Sequence, residues 1–213
     1  MPAKHIAYYD LQEALGQPGC PICRLVARDL RRYLETLLDT VNDVGMRHEL
    51  RATGGFCREH TWQAVVLGRH LSVAILWHDL LSTVLEAGEQ GLSGGRRACR
   101  GCVACRKAAA ASTLYAEVLG RHLEHGELVE EYGQSAGLCL PHLRVALAGA
   151  GMAARKRLVS NEAGKLERLQ AELQEIIRKH DYRHAAEPWG AEKDAWARAA
   201  AKLAGEQPER GMP

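Results

Sequence analysis

Apolar residues recur at helical spacing along almost the whole chain. Leu25, Leu30, Leu34, Leu37, Leu38 and Val41 form one series, and Leu71, Ile75, Trp77, Leu80, Leu81, Val84 and Leu85 form another. A third series, Leu166, Leu169, Leu173, Ile176 and Ile177, carries Glu175 and Lys179 at i,i+4 and predicts a long helix near the C-terminus. No stretch alternates with a period of two, so the expected fold is all-α. Gly and Pro break the pattern at Gln17-Pro18-Gly19, at Thr53-Gly54-Gly55, over 89–95, over 135–137 and at Glu187-Pro188-Trp189-Gly190. The stretch from Gly91 to Gly95 reads as a linker between two halves. These breaks outline a first helical module over 1–90, a second over 91–150, a C-terminal helical segment over 151–204 ending in a short tail helix around 194–203, and a frayed tail over 205–213.

Composition narrows the classes. A chain of 213 residues with 46% hydrophobic content can bury a real core as one large domain or two small ones. Lys and Arg number 28 against 26 for Asp and Glu, so charge as a whole favours neither a nucleic-acid nor a membrane partner, and a protein partner is expected. The N-terminus has no apolar core behind a basic start, and no later stretch reaches the roughly 18 apolar residues of a spanning helix. A cytoplasmic, reducing setting is therefore expected, in which seven cysteines point to metal rather than to disulfides.

Chemistry enters with a repeat. Residues 20–64 align without a gap over residues 102–146 at an offset of 82, with 12 identities in 45 positions. Cys20, Cys23, Cys57 and His60 fall on Cys102, Cys105, Cys139 and His142; the other identities include Arg24 on Arg106, Tyr33 on Tyr115, Glu49 on Glu131 and Gly55 on Gly137. A duplicated module is the economical explanation. Ligands at i,i+3 share one face of a helix or turn, and Cys3His is a closed tetrahedral complement of the kind used by structural zinc. If the helix after each Cys-x2-Cys pair is followed by a return segment, as in a helical hairpin, each module closes its own site. One ion would then be held by Cys20, Cys23, Cys57 and His60, and the other by Cys102, Cys105, Cys139 and His142. Two other readings stay open: buried apolar cysteines beside coincidental histidines, and a redox dithiol at Cys20-Pro21-Ile22-Cys23, which lacks the strand-rich surroundings such a motif needs.

The chain resembles a bacterial family of uncharacterised helical proteins known only as a domain of unknown function. The matching residues are Cys20-Pro21-Ile22-Cys23, Gly55-Phe56-Cys57-Arg58-Glu59-His60-Thr61-Trp62, Gly137-Leu138-Cys139-Leu140-Pro141-His142-Leu143, and His180-Asp181-Tyr182-Arg183 with Trp196 after it. The resemblance runs over nearly the whole chain. It supports the ligand set and implies no activity.

Zinc, two ions per chain, suits three thiolates and one imidazole. The alternative cofactor is a [4Fe-4S] cluster, since Cys99, Cys102, Cys105 and Cys139 would offer four thiolates; this would make the protein an iron-sulfur or thiol-based redox protein. Gln17 stands at the repeat position of Cys99, so the first module lacks that option. Arg24, Arg28, Arg31 and Arg32 after the first pair, and Arg96, Arg97, Arg100, Arg106 and Lys107 around the second, read as compensation for thiolate charge before a phosphate-binding surface. His180 and His184 at i,i+4 are a weaker metal candidate. His122 and His125 lack repeat counterparts and read as surface residues, and Trp62, Trp77, Trp189 and Trp196 as packing anchors. No recognised catalytic constellation is present, so the leading expectation is a non-catalytic interaction or regulatory protein of open oligomeric state.

Overall fold

The computed structural model describes residues 4–93, 101–184 and 186–206. Among them the fold is all-α. The helices are α1 (Ile6–Leu15), α2 (Pro21–Asp39), α3 (Val44–Thr53), α4 (Arg58–Val66), α5 (His70–Glu86), α6 (Gly88–Ser93), α7 (Val103–Glu124), α8 (Val129–Gln134), α9 (Leu140–Gly149), α10 (Met152–Lys179) and α11 (Ala195–Ala204). A 3-10 turn over Ala191–Asp194 leads into α11. The long C-terminal helix and the tail helix stand where the apolar series places them. No described helix is long and apolar enough to cross a membrane.

Contacts divide the chain into two compact units, and not at the Gly91–Gly95 stretch. One unit gathers the residues up to Val26 and those from Ser112 onward; the other holds Ala27–Ala111. Both divisions fall inside long helices, α2 and α7. Gly91 itself is helical, in α6, where an added Cβ would stand 2.2 Å from the Val84 carbonyl oxygen. Residues 94–100, which include Cys99, Arg96, Arg97 and Arg100, lie outside the described residues, as does the tail from 207.

Helix starts keep the repeat. α2 and α7, α4 and α9, and α5 and α10 each begin at positions 82 apart. Asp43 caps α3 by accepting from the Met46 N–H at 2.7 Å, and Gly54, left-handed at φ 72°, ends it. The glycine two residues before each Cys-x2-His pair is also left-handed, Gly55 at φ 85° and Gly137 at φ 76°. That conformation turns the chain so that Cys57 and Cys139 become the N-cap residues of α4 and α9.

In the Ala27–Ala111 unit, Leu37, Leu38, Val41, Leu50, Leu76 and Val103 form one core cluster, and Leu30, Leu34, Cys102 and Ala104 another. Trp77 packs on the first, as expected, whereas Trp62 and Trp196 are exposed by 62% and 67%, and Trp189, exposed by 50%, meets the His180 ring and the Lys179 ammonium rather than the apolar core. In the other unit α11 packs on α9 and α10. His122, expected at the surface, is buried there against Tyr8, with its Nδ1 on Glu127. Deprived of water, the imidazole takes a carboxylate partner in its place.

Candidate metal centres

Each unit brings four of the expected ligands together, but in crossed pairs. Cys20 and Cys23 meet Cys139 and His142; Cys102 and Cys105 meet Cys57 and His60. All eight residues are used, and the pairing within each module is overturned. The reason lies in the length of the return. Phe56 and Cys57 pack beside Leu30 and Leu34 of α2, so the segment after α2 comes back only part of the way. Cys23 stands seven residues before Leu30, about 10 Å farther along the helix at 1.5 Å per residue. The first turn of α7 occupies the same place, through Cys102 and Ala104. Each Cys-x2-His pair therefore meets the Cys-x2-Cys pair of the other long helix.

The donor spacing fits one tetrahedral ion per group. In the first centre Nδ1 of His142 lies 3.2 Å from the Sγ of Cys23, 3.2 Å from that of Cys139 and 3.6 Å from that of Cys20. The Cys23 and Cys139 sulfurs are 3.6 Å apart. In the second, Nδ1 of His60 is 3.1 Å from Cys57, 3.5 Å from Cys102 and 3.4 Å from Cys105, with 3.7 Å between the Cys57 and Cys105 sulfurs. Zinc at about 2.3 Å from sulfur and about 2.0 Å from nitrogen would set tetrahedral edges of about 3.7 Å and about 3.5 Å. A disulfide would need about 2.05 Å.

Electrostatics within each group favour one thiolate over its neighbours. Cys139 and Cys23 hydrogen-bond to the Cys20 sulfur and hold its pKa well below the ordinary thiol range, while the Cys139 and Cys20 sulfurs push Cys23 up. Burial opposes ionisation of Cys102, but backbone N–H groups of Cys57, Cys105 and Ala104 outweigh it and lower that thiol. Burial first, then Cys57, raises Cys105. Burial also keeps His60 below its usual range; at His142 it is outweighed by Cys139 and Cys20, which lift the imidazole to about 9 in the chain by itself.

Around the first centre lies a polar support that the apolar patterning did not announce. The buried Glu162 carboxylate accepts from the Leu138 N–H at 2.7 Å and from the Tyr132 hydroxyl at 2.5 Å, and pairs with Lys202. Ser112 Oγ is 3.2 Å from Nε2 of His142. Glu206 accepts from the Cys20 N–H at 3.1 Å, and its own N–H points at the Cys23 sulfur at 3.4 Å. One signal was available: Glu162 and Lys165 interrupt the apolar face that runs through Leu158 and Leu169.

Among the described residues, five of the cations near the cysteines, Arg24, Arg28, Arg31, Arg106 and Lys107, are engaged within the protein. Arg24 donates to the Pro18 carbonyl at 2.6 Å and Arg106 to that of Gly101 at 3.2 Å, so the repeated arginine ties down the loop before each Cys-x2-Cys pair. Arg106 also pairs with Glu49 at 2.5 Å, Arg31 with Glu35 at 3.0 Å and Arg28 with Asp29 at 3.1 Å. Lys107 sits over the Tyr33 ring. His180 is directed to the Ile176 carbonyl and His184 to Glu187, and the two do not come together as a metal-ligand group.

Comparison with known proteins adds kinship without chemistry. A model of the Family of unknown function (DUF6062) matches residues 95–210, which take in Cys102, Cys105, Cys139 and His142. An "Uncharacterized 23.9 kDa protein in xynA 3'region" of Caldicellulosiruptor sp. (strain Rt8B.4) is 25% identical over 202 residues, covering 92% of this chain and 99% of that protein. No solved structure matches.

Proposed function

The chain belongs to the Family of unknown function (DUF6062), and since that membership brings no activity with it, we propose a helical interaction or regulatory protein whose two Cys3His centres each hold a structural zinc ion. The observation that carries the reading is the donor spacing: in each group four ligand atoms lie within 4.8 Å of one another, as they do around a single ion. In a cubane each thiolate binds a different iron, so the sulfurs would stand outside a cluster rather than around one point. Three thiolates and an imidazole fill a tetrahedron and leave no position for a reacting water, which speaks for a structural role and against hydrolysis. Sulfurs 3.6 to 3.7 Å apart fit thiolates kept reduced, in keeping with a cytoplasmic setting. Duplication of one module accounts for both centres.

What the ions supply is cross-linking of distant segments, since one ties residues 116 apart and the other residues 48 apart. A protein partner is favoured over nucleic acid because the net charge is near neutral, with 28 Lys and Arg against 26 Asp and Glu, and because Arg24, Arg28, Arg31, Arg106 and Lys107 are engaged within the protein. Elemental analysis of untagged protein purified without chelator should find two equivalents of zinc in a colourless sample. Less than one equivalent of any transition metal, or a brown sample absorbing near about 400 nm with iron and sulfide present, would overturn the assignment.

A further inference from the structure

The repeat supplies an internal control for a surface on α5. α5 and α10 start at positions 82 apart, and both follow a Cys-x2-His helix. On α5 the exposed face runs Leu71, Ala74, His78, Leu81, Leu85, a 3-4-3-4 seam, with the leucines exposed by 76%, 61% and 70%. The equivalent positions on α10 are Ala153, Lys156, Ser160, Ala163 and Glu167, small or polar as a solvated helix face should be. The inner faces agree, with Leu76 and Leu158 both buried at repeat-equivalent positions. At these positions the outer face is apolar on α5 and not on α10, and packing among the described residues leaves the three leucines uncovered.

We propose that this face of α5 is the contact surface of a homodimer, its occupant being α5 of a second copy. A heptad-spaced seam on one helix is self-complementary about a two-fold axis. Run antiparallel, it sets the small Ala74 against Leu85 of the copy and His78 beside Leu81. The available area fits. Leu71, Leu81 and Leu85, with Trp62 and Val66 exposed on the adjoining α4, present on the order of 250–450 Å² of apolar side chain. An interface at the small end of the stable range buries about 600 Å² per partner, somewhat over half of it apolar. The inference does not depend on the metal reading: a dimer without zinc would sink that reading and leave this one standing.

Sedimentation velocity of the zinc-loaded full chain from about 1 to 100 µM should show a monomer–dimer equilibrium. Leu81→Glu with Leu85→Glu should raise the dissociation constant at least about 100-fold, because each copy would bury unpaired carboxylates. Ile177→Glu, on an exposed apolar position of α10, should change nothing. Helicity and metal content of the variants report whether they fold. In the unmodified protein, hydrogen exchange should slow along α5 as concentration rises, a readout that needs no variant. A monomer throughout the range, a dimer indifferent to the double substitution, or protection gained elsewhere than α5 would overturn the proposal.

Discussion

The same four-residue ligand set sits in two different surroundings, and the difference is concentrated at one repeat position. Gly137 and Gly55 are equivalent, both left-handed, and both admit a side chain where a Cβ would otherwise stand. At Gly137 the intruder is the Glu162 carboxylate, 2.3 Å from that Cβ position; at Gly55 it is Leu80, at 2.9 Å. Glu162 and Leu80 are themselves 82 apart. The turn before the cysteine is thus buttressed by a hydrogen-bonded charge in one unit and by a methyl group in the other. Around them the first centre acquires Tyr132, Lys202 and Glu206, and the second the apolar cluster of Leu30 and Leu34 with Phe56. Each Cys3His group therefore has a close-fitting neighbour behind its glycine turn, and either chemistry supplies one. Loop length matters less: closing 116 residues instead of 48 differs by only about 0.8 kcal/mol of chain entropy.

The sharpest way to break the comparison is to test which cysteines share an ion. With crossed pairs, Cys23→Ser together with Cys139→Ser should lose one equivalent of metal, and Cys23→Ser together with Cys57→Ser should lose both. Pairing within modules predicts the reverse. Since structural zinc in small peptides contributes roughly 10 kcal/mol or more, against a typical stability of about 5–15 kcal/mol, the first double variant should unfold its own unit and the second should unfold both. Elemental analysis with circular dichroism reads the two outcomes.

A smaller effect is expected from exchanging the buttresses. Glu162→Leu, which installs the residue of the other repeat, removes the partner of Lys202, whose side chain is 10% exposed beside a carboxylate 2% exposed. It also leaves the Leu138 N–H and the Tyr132 hydroxyl unpaired. Breaking such a buried pair costs about 3–5 kcal/mol, to be read from denaturant unfolding of the metal-loaded protein. Leu80→Glu should also destabilise, because it sets a charge on a half-buried position in place of the methyl packed behind Gly55. If Glu162→Leu were neutral, the polar network would have no part in holding the centre.

Much of this was legible in the patterning and some was not. Helical periodicity located the long helices because each buries one continuous apolar stripe, and the recurring Cys and His spacing picked out all eight residues that the structure gathers into two groups. The pairing was not legible, since it depends on how far the segment after α2 returns, a tertiary length that turns on where Phe56 and Cys57 pack. The boundary between units was missed for a related reason: glycines mark breaks in helices, whereas here the division runs through two unbroken ones. Glu206 gave no signal at all, standing in a Gly- and Pro-containing tail that reads as frayed. Its role comes only from where α11 delivers the chain.

That tail provides the finest test. Gly205 and Glu206 lie over the first centre: a Cβ on Gly205 would stand 3.7 Å from the Cys23 sulfur and 3.9 Å from that of Cys139, and the Glu206 carboxylate holds the Cys20 N–H. The second centre offers an internal reference in the same molecule. Glu206→Ala should therefore quicken chelator-driven metal loss from the first centre alone. A hydrogen bond to a charged group contributes about 1.5–3 kcal/mol when desolvated, and Glu206 is exposed, so about 1 kcal/mol, roughly fivefold in rate, is expected. Ending the chain after Ala204 removes the Glu206 N–H that faces Cys23 as well, and should quicken loss further. Release followed with a chromogenic chelator should then resolve into two phases, of which only one moves. Two phases that quicken together would mean that the tail acts through global stability, and two that stay unchanged would mean that it only rests on the thiolates.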